Sequence, residues 1–187
     1  MTALIVVIAI LVLLIIFVIS LYNKLVQLRN NRENAFADID VQLKQRYDLI
    51  PQLVETVKGY AKHEKETLAR VIELRNQAVA ATTIDGKIAA ENQLSGALSG
   101  LKVTLEAYPA LKANQNFMQL QEEMSDIENK LASVRRFFNA TTKEFNNAVQ
   151  TFPSNLIAGM FGFSKATMFD LGMERATYDA APKISFS

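Results

Sequence analysis

Seventeen consecutive apolar side chains, Ala3 to Ile19, open this chain, and its first charged side chain is Lys24. A helix from Ala3 to Tyr22 rises about 30 Å at roughly 1.5 Å per residue, the thickness of a bilayer's hydrocarbon core. Residues 1–22 therefore read as a membrane span, bounded by Ala3 and Leu4 at one end and by Ile19 and Tyr22 at the other. A cleavable leader needs a basic segment in front and small residues before the cut. Here only Met1 and Thr2 precede the run, and Ser20-Leu21-Tyr22 ends in a bulky aromatic, so the span is expected to be retained as an anchor. No Lys or Arg lies before it, while Lys24, Arg29 and Arg32 follow closely, which predicts an outside N-terminus and a cytoplasmic C-terminal body.

Beyond the span the apolar positions recur with a helical period. Phe117, Leu120, Met124, Ile127, Leu131, Val134, Phe138, Thr141, Phe145, Ala148 and Phe152 alternate steps of three and four, with Thr141 the one polar member. This seam predicts a long amphipathic helix over about 114–151, closed by Pro153. Leu94, Leu98, Leu101, Leu105 and Tyr108 predict another over 87–108, ended or kinked by Pro109. Leu53, Val57, Tyr60, Leu68, Val71 and Leu74 mark one over 51–81. The first continues out of the membrane over 23–47, with Phe36, Ile39, Leu43 and Tyr47 on one face. Pro51 either starts the second helix or kinks a longer one. Thr82 to Gly86 is the best turn signal.

The fold class is therefore all-α: a transmembrane helix continuing into a long antiparallel four-helix bundle over 23–151, followed by an apolar tail over 152–187. If the helices alternate in direction, the ends of helices two and four return toward the bilayer. That brings the tail to the membrane. Ser154 or Asn155 can cap a short helix over about 155–161, Gly162 can end it, and the remainder through Ala180 to Ser187 is expected to be extended. Phe152, Leu156, Ile157, Met160, Phe161 and Phe163 make this tail a candidate interfacial segment: it covers the end of the bundle, enters the lipid interface or packs on a second subunit.

Length allows one domain after the anchor, since the whole chain has 187 residues. With 20 basic and 19 acidic residues it lacks the charge excess of a nucleic-acid-binding surface, so no nucleic acid is expected as a partner. The absence of cysteine excludes thiol catalysis, thiolate metal sites and disulfides. His63 is the one histidine, so neither a paired Glu-x-x-His set nor a His-rich zinc site can be built, and it reads as a residue of a charged helix face. No Gly-rich phosphate loop occurs. Catalytic, cofactor and metal sites are all expected to be none.

Glu122, Glu123, Glu128, Arg135 and Arg136 flank the seam of the long helix and read as solvated flanks or interhelical ion pairs. Asn139 and Asn146 each follow a seam phenylalanine and are placed to fix helix register. Leu-Ser-Gly repeats at a four-residue spacing from Leu94, stacking Gly96 over Gly100. Such a face lets a neighbouring backbone approach, inside the bundle or from a second copy. The span itself offers only Ala3 and Ala9 as small residues, so any oligomer is expected to form through the body.

The stretch Arg46-Tyr-Asp-Leu-Ile-Pro-Gln-Leu-Val-Glu-Thr-Val-Lys-Gly-Tyr-Ala61, followed by His63-Glu64, resembles the LemA family. So do Asn116-Phe117, Leu120-Gln-Glu-Glu123, Glu128-Asn129, Arg135-Arg136, Asn139, Asn146, Phe152-Pro153 and Phe161-Gly-Phe163. The likeness covers Leu21 to Phe163, with the segment from Ser164 the least family-like. Family members often carry tyrosine where this chain has Phe138 and Phe145. The resemblance implies a single N-terminal span, a long antiparallel helical body, a bacterial inner-membrane location, no assigned reaction and an association with membrane protease systems.

The anchor, the seam-rich body and the missing catalytic set predict a non-enzymatic, membrane-anchored helical scaffold or adaptor that self-associates, and the family resemblance implies a link to membrane-protein quality control. Its expected partners are the lipid bilayer, further copies of itself and a membrane protease or other membrane protein. The alternative is a membrane-surface or lipid-organising protein working through the apolar tail.

Overall fold

The computed structural model describes residues 1–169, and in it the apolar run and the polar sequence behind it form one uninterrupted helix, α1 (Thr2–Lys58). Nothing in its most apolar window is buried against the rest of the protein. Side chains such as Leu4, Ile8, Leu11 and Ile15 point outward along it. A helix satisfies its own backbone hydrogen bonds, so a surface this apolar is stable in hydrocarbon, and the segment is a membrane anchor. The other elements are α2 (Lys65–Ala80), α3 (Ile84–Leu105), the single turn α4 (Pro109–Lys112), α5 (Gln115–Gln150) and α6 (Ser154–Met160). The fold is all-α, with no strand among the described residues. The extended stretch expected over Ala180 to Ser187 lies outside them.

Two compact units divide the chain. One holds Met1–Val41 and Arg136–Met168, the other Gln42–Arg135 and the residues from Phe169, so α1 and α5 contribute to both.

In the unit from Gln42 to Arg135, hydrogen bonds reveal the helix directions. Arg75 of α2 donates to the Tyr47 carbonyl of α1, and Asn114, just ahead of α5, donates to the Tyr60 hydroxyl just after α1. Both helices thus run antiparallel to α1. Glu91 of α3 lies by Tyr47 while Tyr108, past the end of α3, donates to Glu64 just before α2, so α3 runs with α1. Leu43, Ile50, Val57, Leu68, Val71, Leu94, Leu101 and Leu131 form the core. Thr83 caps α3 by accepting from the Gly86 amide at 3.1 Å. A β-carbon at Gly86 would come within 2.8 Å of that hydroxyl oxygen, so the cap and the glycine go together. Asn114 caps α5 through the Phe117 amide, and Pro109 opens α4 at a position where a missing N–H is harmless.

The helix boundary expected at residues 47–51 is corrected. α1 passes through Pro51 and ends at Lys58, and the turn falls at residues 59–64. Proline at 51 has no N–H to give to the carbonyl four residues back, which belongs to Tyr47. Arg75 reaches across from α2 and donates its Nε–H to that same carbonyl at 3.1 Å, so the acceptor that proline orphans is satisfied from outside the helix. The shortened α2 lies wholly in this unit.

In the unit from Met1 to Val41 with Arg136–Met168, α5 does return. Leu25, the first buried residue after the span, packs with Ile157 and Ala158 of α6, and Val18, Leu21, Ala148, Val149 and Phe163 close around them. Pro153, not Ser154 or Asn155, holds the N-cap position of α6. Ser154 sits inside the helix and donates back to the carbonyls of Ala148 and Thr151. Gly162 adopts φ 73° and lets the Phe163 amide turn back to the Ala158 carbonyl at 2.9 Å, the six-to-one bond that ends a helix in this way.

Candidate functional site

Glu91 is 0 % exposed and Arg46 2 % exposed, and they meet in the core of the second unit. Arg46 Nη1 donates to Glu91 Oε2 at 2.7 Å and Nη2 to Ser95 Oγ at 3.1 Å. Its Nε stands 2.8 Å from Glu128 Oε1, an ion pair without hydrogen-bond alignment. Tyr47 donates its hydroxyl to Glu91 Oε1 at 2.7 Å, and Arg135 Nη2 reaches Glu91 Oε2 at 3.2 Å. Three helices, α1, α3 and α5, are therefore tied to one carboxylate. A buried carboxylate without partners is costly, and this one accepts from three donors. Two guanidinium groups face two carboxylates, so the cluster is neutral as a whole. Burial first, and then the charge of Arg46, pull Arg135 below its ordinary pKa, while Glu91 and Glu128 push it back up.

Both oxygens of Glu91 are engaged, so its geometry suits locking helices in register. Among the described residues no group of three or more His, Cys, Asp or Glu is placed to hold a metal ion. Phe169 completes the surroundings, its ring carrying the Arg135 guanidinium at 5.1 Å.

On its outer side the cluster borders an open cleft of about 890 Å³ between α3 and α5. Ser95, Gly96, Ser99 and Lys102 form one wall, Gln121, Glu122, Ser125 and Glu128 the other, and Leu53, Leu101 and Leu105 line it too. Gly96 and Gly100 are exposed, and an added β-carbon at either meets nothing within 4 Å. Among the described residues no helix packs closely on these glycines. The reason is angular: Gly96 lies two residues past Leu94, about 200° around the helix from the buried seam.

The tail occupies a second candidate surface, in the unit that contains the span. Tyr22 packs on Phe161 and Phe163 with ring centroids 4.8 and 5.8 Å away, and Arg29 lies 5.4 Å over the Phe163 ring. Phe145 meets Phe163 at 6.4 Å. Asn146 and Ala166 exchange two hydrogen bonds, at 2.9 and 2.7 Å, and Arg32 donates to the Thr167 carbonyl at 3.2 Å while stacking over Phe138. The six apolar tail residues thus divide. Ile157 is buried and Phe163 half-buried, whereas Phe152, Leu156, Met160 and Phe161 are 75, 58, 76 and 54 % exposed.

Among the polar residues singled out in the sequence, Glu128 and Arg135 do form interhelical ion pairs. Glu123 accepts from Gln119 on its own helix and Glu122 lines the cleft. Asn146 holds the tail backbone where a helix-register contact was expected. His63 is exposed in the turn at 59–64 and not on a helix face. Arg46 and Glu91 escaped sequence reasoning although the signal was present. Leu43, Arg46, Ile50, Leu53 and Val57 keep steps of three and four, and Glu91 stands three residues before Leu94 in its own seam, so each is a charge at a core position.

The family model described as the LemA family matches residues 35–186. This chain belongs to the LemA family. The match starts behind the span and takes in the segment after Ser164, which corrects the extent expected from the sequence blocks alone. "Protein LemA" of Metamycoplasma hominis is 25% identical over 162 residues, covering 85% of this chain and 74% of that protein. "Magnetosome protein MamQ" of Magnetospirillum gryphiswaldense is 22% identical over 174 residues, with 79% of this chain and 64% of the relative covered. "Magnetosome protein MamQ 2" of Paramagnetospirillum magneticum is 20% identical with the same coverage, so this chain spans just under two thirds of the length of these magnetosome relatives. With its apolar N-terminal helix, the LemA-family chain is a membrane-associated protein.

Proposed function

We propose that this LemA-family protein is a non-enzymatic scaffold or adaptor, anchored in a bacterial inner membrane with its body in the cytoplasm, which self-associates and docks other membrane proteins. A membrane protease is one such partner, and membrane-protein quality control the process it would serve. The observation that carries this reading is the pairing of an unbroken α1, which leads from the span into the ion-locked unit, with an open cleft lined by α3 and α5 in that unit. A locked helical unit with an open, polar-walled cleft suits holding a partner more than transforming a substrate. None of the relatives' names states a reaction.

Gly96 gives the test its handle, since a leucine there projects from the cleft wall into open space and leaves the fold intact. Mass photometry of the full chain in detergent is expected to give a discrete multiple of the 20.9 kDa protomer. Gly96→Leu is expected to shift it toward monomer with an unchanged circular dichroism spectrum. A wild-type protein that stays monomeric at every concentration contradicts the self-association.

A further inference from the structure

We propose that α6 is a second membrane contact, lying in the interfacial layer of the leaflet through which α1 leaves the bilayer, with Phe152, Leu156, Met160 and Phe161 in lipid. This placement rests on residues 3–22 being the span.

The depth of α6 is set by what it packs on. Ile157 and Ala158 contact Leu25, and the same cluster includes Val18 and Leu21. Val18 and Leu21 fall in the last turns of the apolar run, whereas Lys24 marks its end. From Val18 to Leu25 a helix rises only about 10 Å, so α6 is held at the boundary between hydrocarbon and headgroups. Tyr22, an aromatic residue at the end of the span, packs against Phe161 and Phe163. Aromatic rings with a polar edge concentrate at this level of a bilayer.

One face of α6 is thus spent on α1, and among the described residues none covers the other. Four large apolar side chains on so short a segment would form a hydrophobic patch in water, next to a span that cannot itself be in water. Lipid is continuous with the span's own surroundings and covers the patch without any further partner. Charge agrees with this: from Gln150 to Phe169 the sequence has no acidic residue and a single charged one, Lys165. Lys165, Lys24 and Arg29 are exposed near the segment and suit lipid phosphates, their aliphatic stems staying in the apolar layer. The partner is therefore a phospholipid surface.

Because the chain has no cysteine, single cysteines can report on each position. The full chain, reconstituted in vesicles of phosphatidylcholine and phosphatidylglycerol, would carry an environment-sensitive fluorophore at Leu156→Cys or Met160→Cys. Leu11→Cys serves as the span control and Ser99→Cys as the water control. Fluorescence at 156 and 160 is expected to be quenched by lipids spin-labelled near the headgroup and, like that at 11, to resist aqueous iodide severalfold better than that at 99. Iodide quenching at 156 and 160 equal to that at 99 overturns the proposal while leaving the span intact. Protection from iodide without quenching by labelled lipid overturns it too, because a second copy of the chain then covers the face. If position 11 is itself open to iodide, the span reading falls, and the placement of α6 with it.

Discussion

A carboxylate with no exposed surface has surrendered its water and depends wholly on Arg46, Tyr47 and Arg135. Removing it leaves two guanidinium groups with Glu128 as the cluster's one remaining carboxylate, and one of them, Arg135, is already pulled below its ordinary pKa by burial and by Arg46. Glu91→Ala is expected to destabilise the protein by about 3–5 kcal/mol, the range for breaking a buried pair by deleting one partner. Replacing the pair together, as Arg46→Met with Glu91→Leu, is expected to recover much of that loss, and chemical denaturation of the detergent-solubilised protein measures both. The signal for Arg46 and Glu91 was present in the sequence, because each is a charge at a seam position, whereas Glu128 and Arg135 stand one residue off the seam of α5. Their pairing was not legible. It depends on which helices become neighbours and in what direction they run, and a helical period carries neither.

At the scale of elements, periodicity marked the helices well wherever a seam was long, as in the run from Phe117 to Ala148 that became the buried and half-buried face of α5. It was least informative at Pro51, where local propensity argues for a boundary and a tertiary contact cancels the argument. The Tyr47 carbonyl is satisfied from α2, so the helix can continue to Lys58. A double-mutant cycle tests this directly. Arg75→Ala alone is expected to cost about 1–3 kcal/mol by leaving a buried acceptor unmade. In a Pro51→Ala background, residue 51 regains its N–H and bonds Tyr47 itself, so the same change is expected to cost clearly less. Equal costs in both backgrounds would show that Arg75 acts through something other than this carbonyl. The tail shows the same limit on sequence reasoning. Its apolar content was plain, but the division into Ile157 and Phe163 on one side and Phe152, Leu156, Met160 and Phe161 on the other follows from where α5 returns along α1.

For the whole molecule, the apolar first twenty-two residues govern the rest. They anchor the chain in a bilayer, they would set the depth of α6 in the proposed lipid contact, and they belong to the same unbroken helix as Arg46 and Tyr47. The all-helical class and the membrane span were both readable from hydrophobic pattern alone, since one needs only a period and the other only a length. Partners were not readable, because a neutral composition and an open cleft constrain shape more than identity. The most direct test is to wash membranes from cells producing the full chain with alkaline carbonate and to determine the intact mass of the protein recovered. The expected result is a chain that retains residues 3–22 and stays in the membrane pellet. A chain that begins beyond Tyr22 and is released into the supernatant would contradict it.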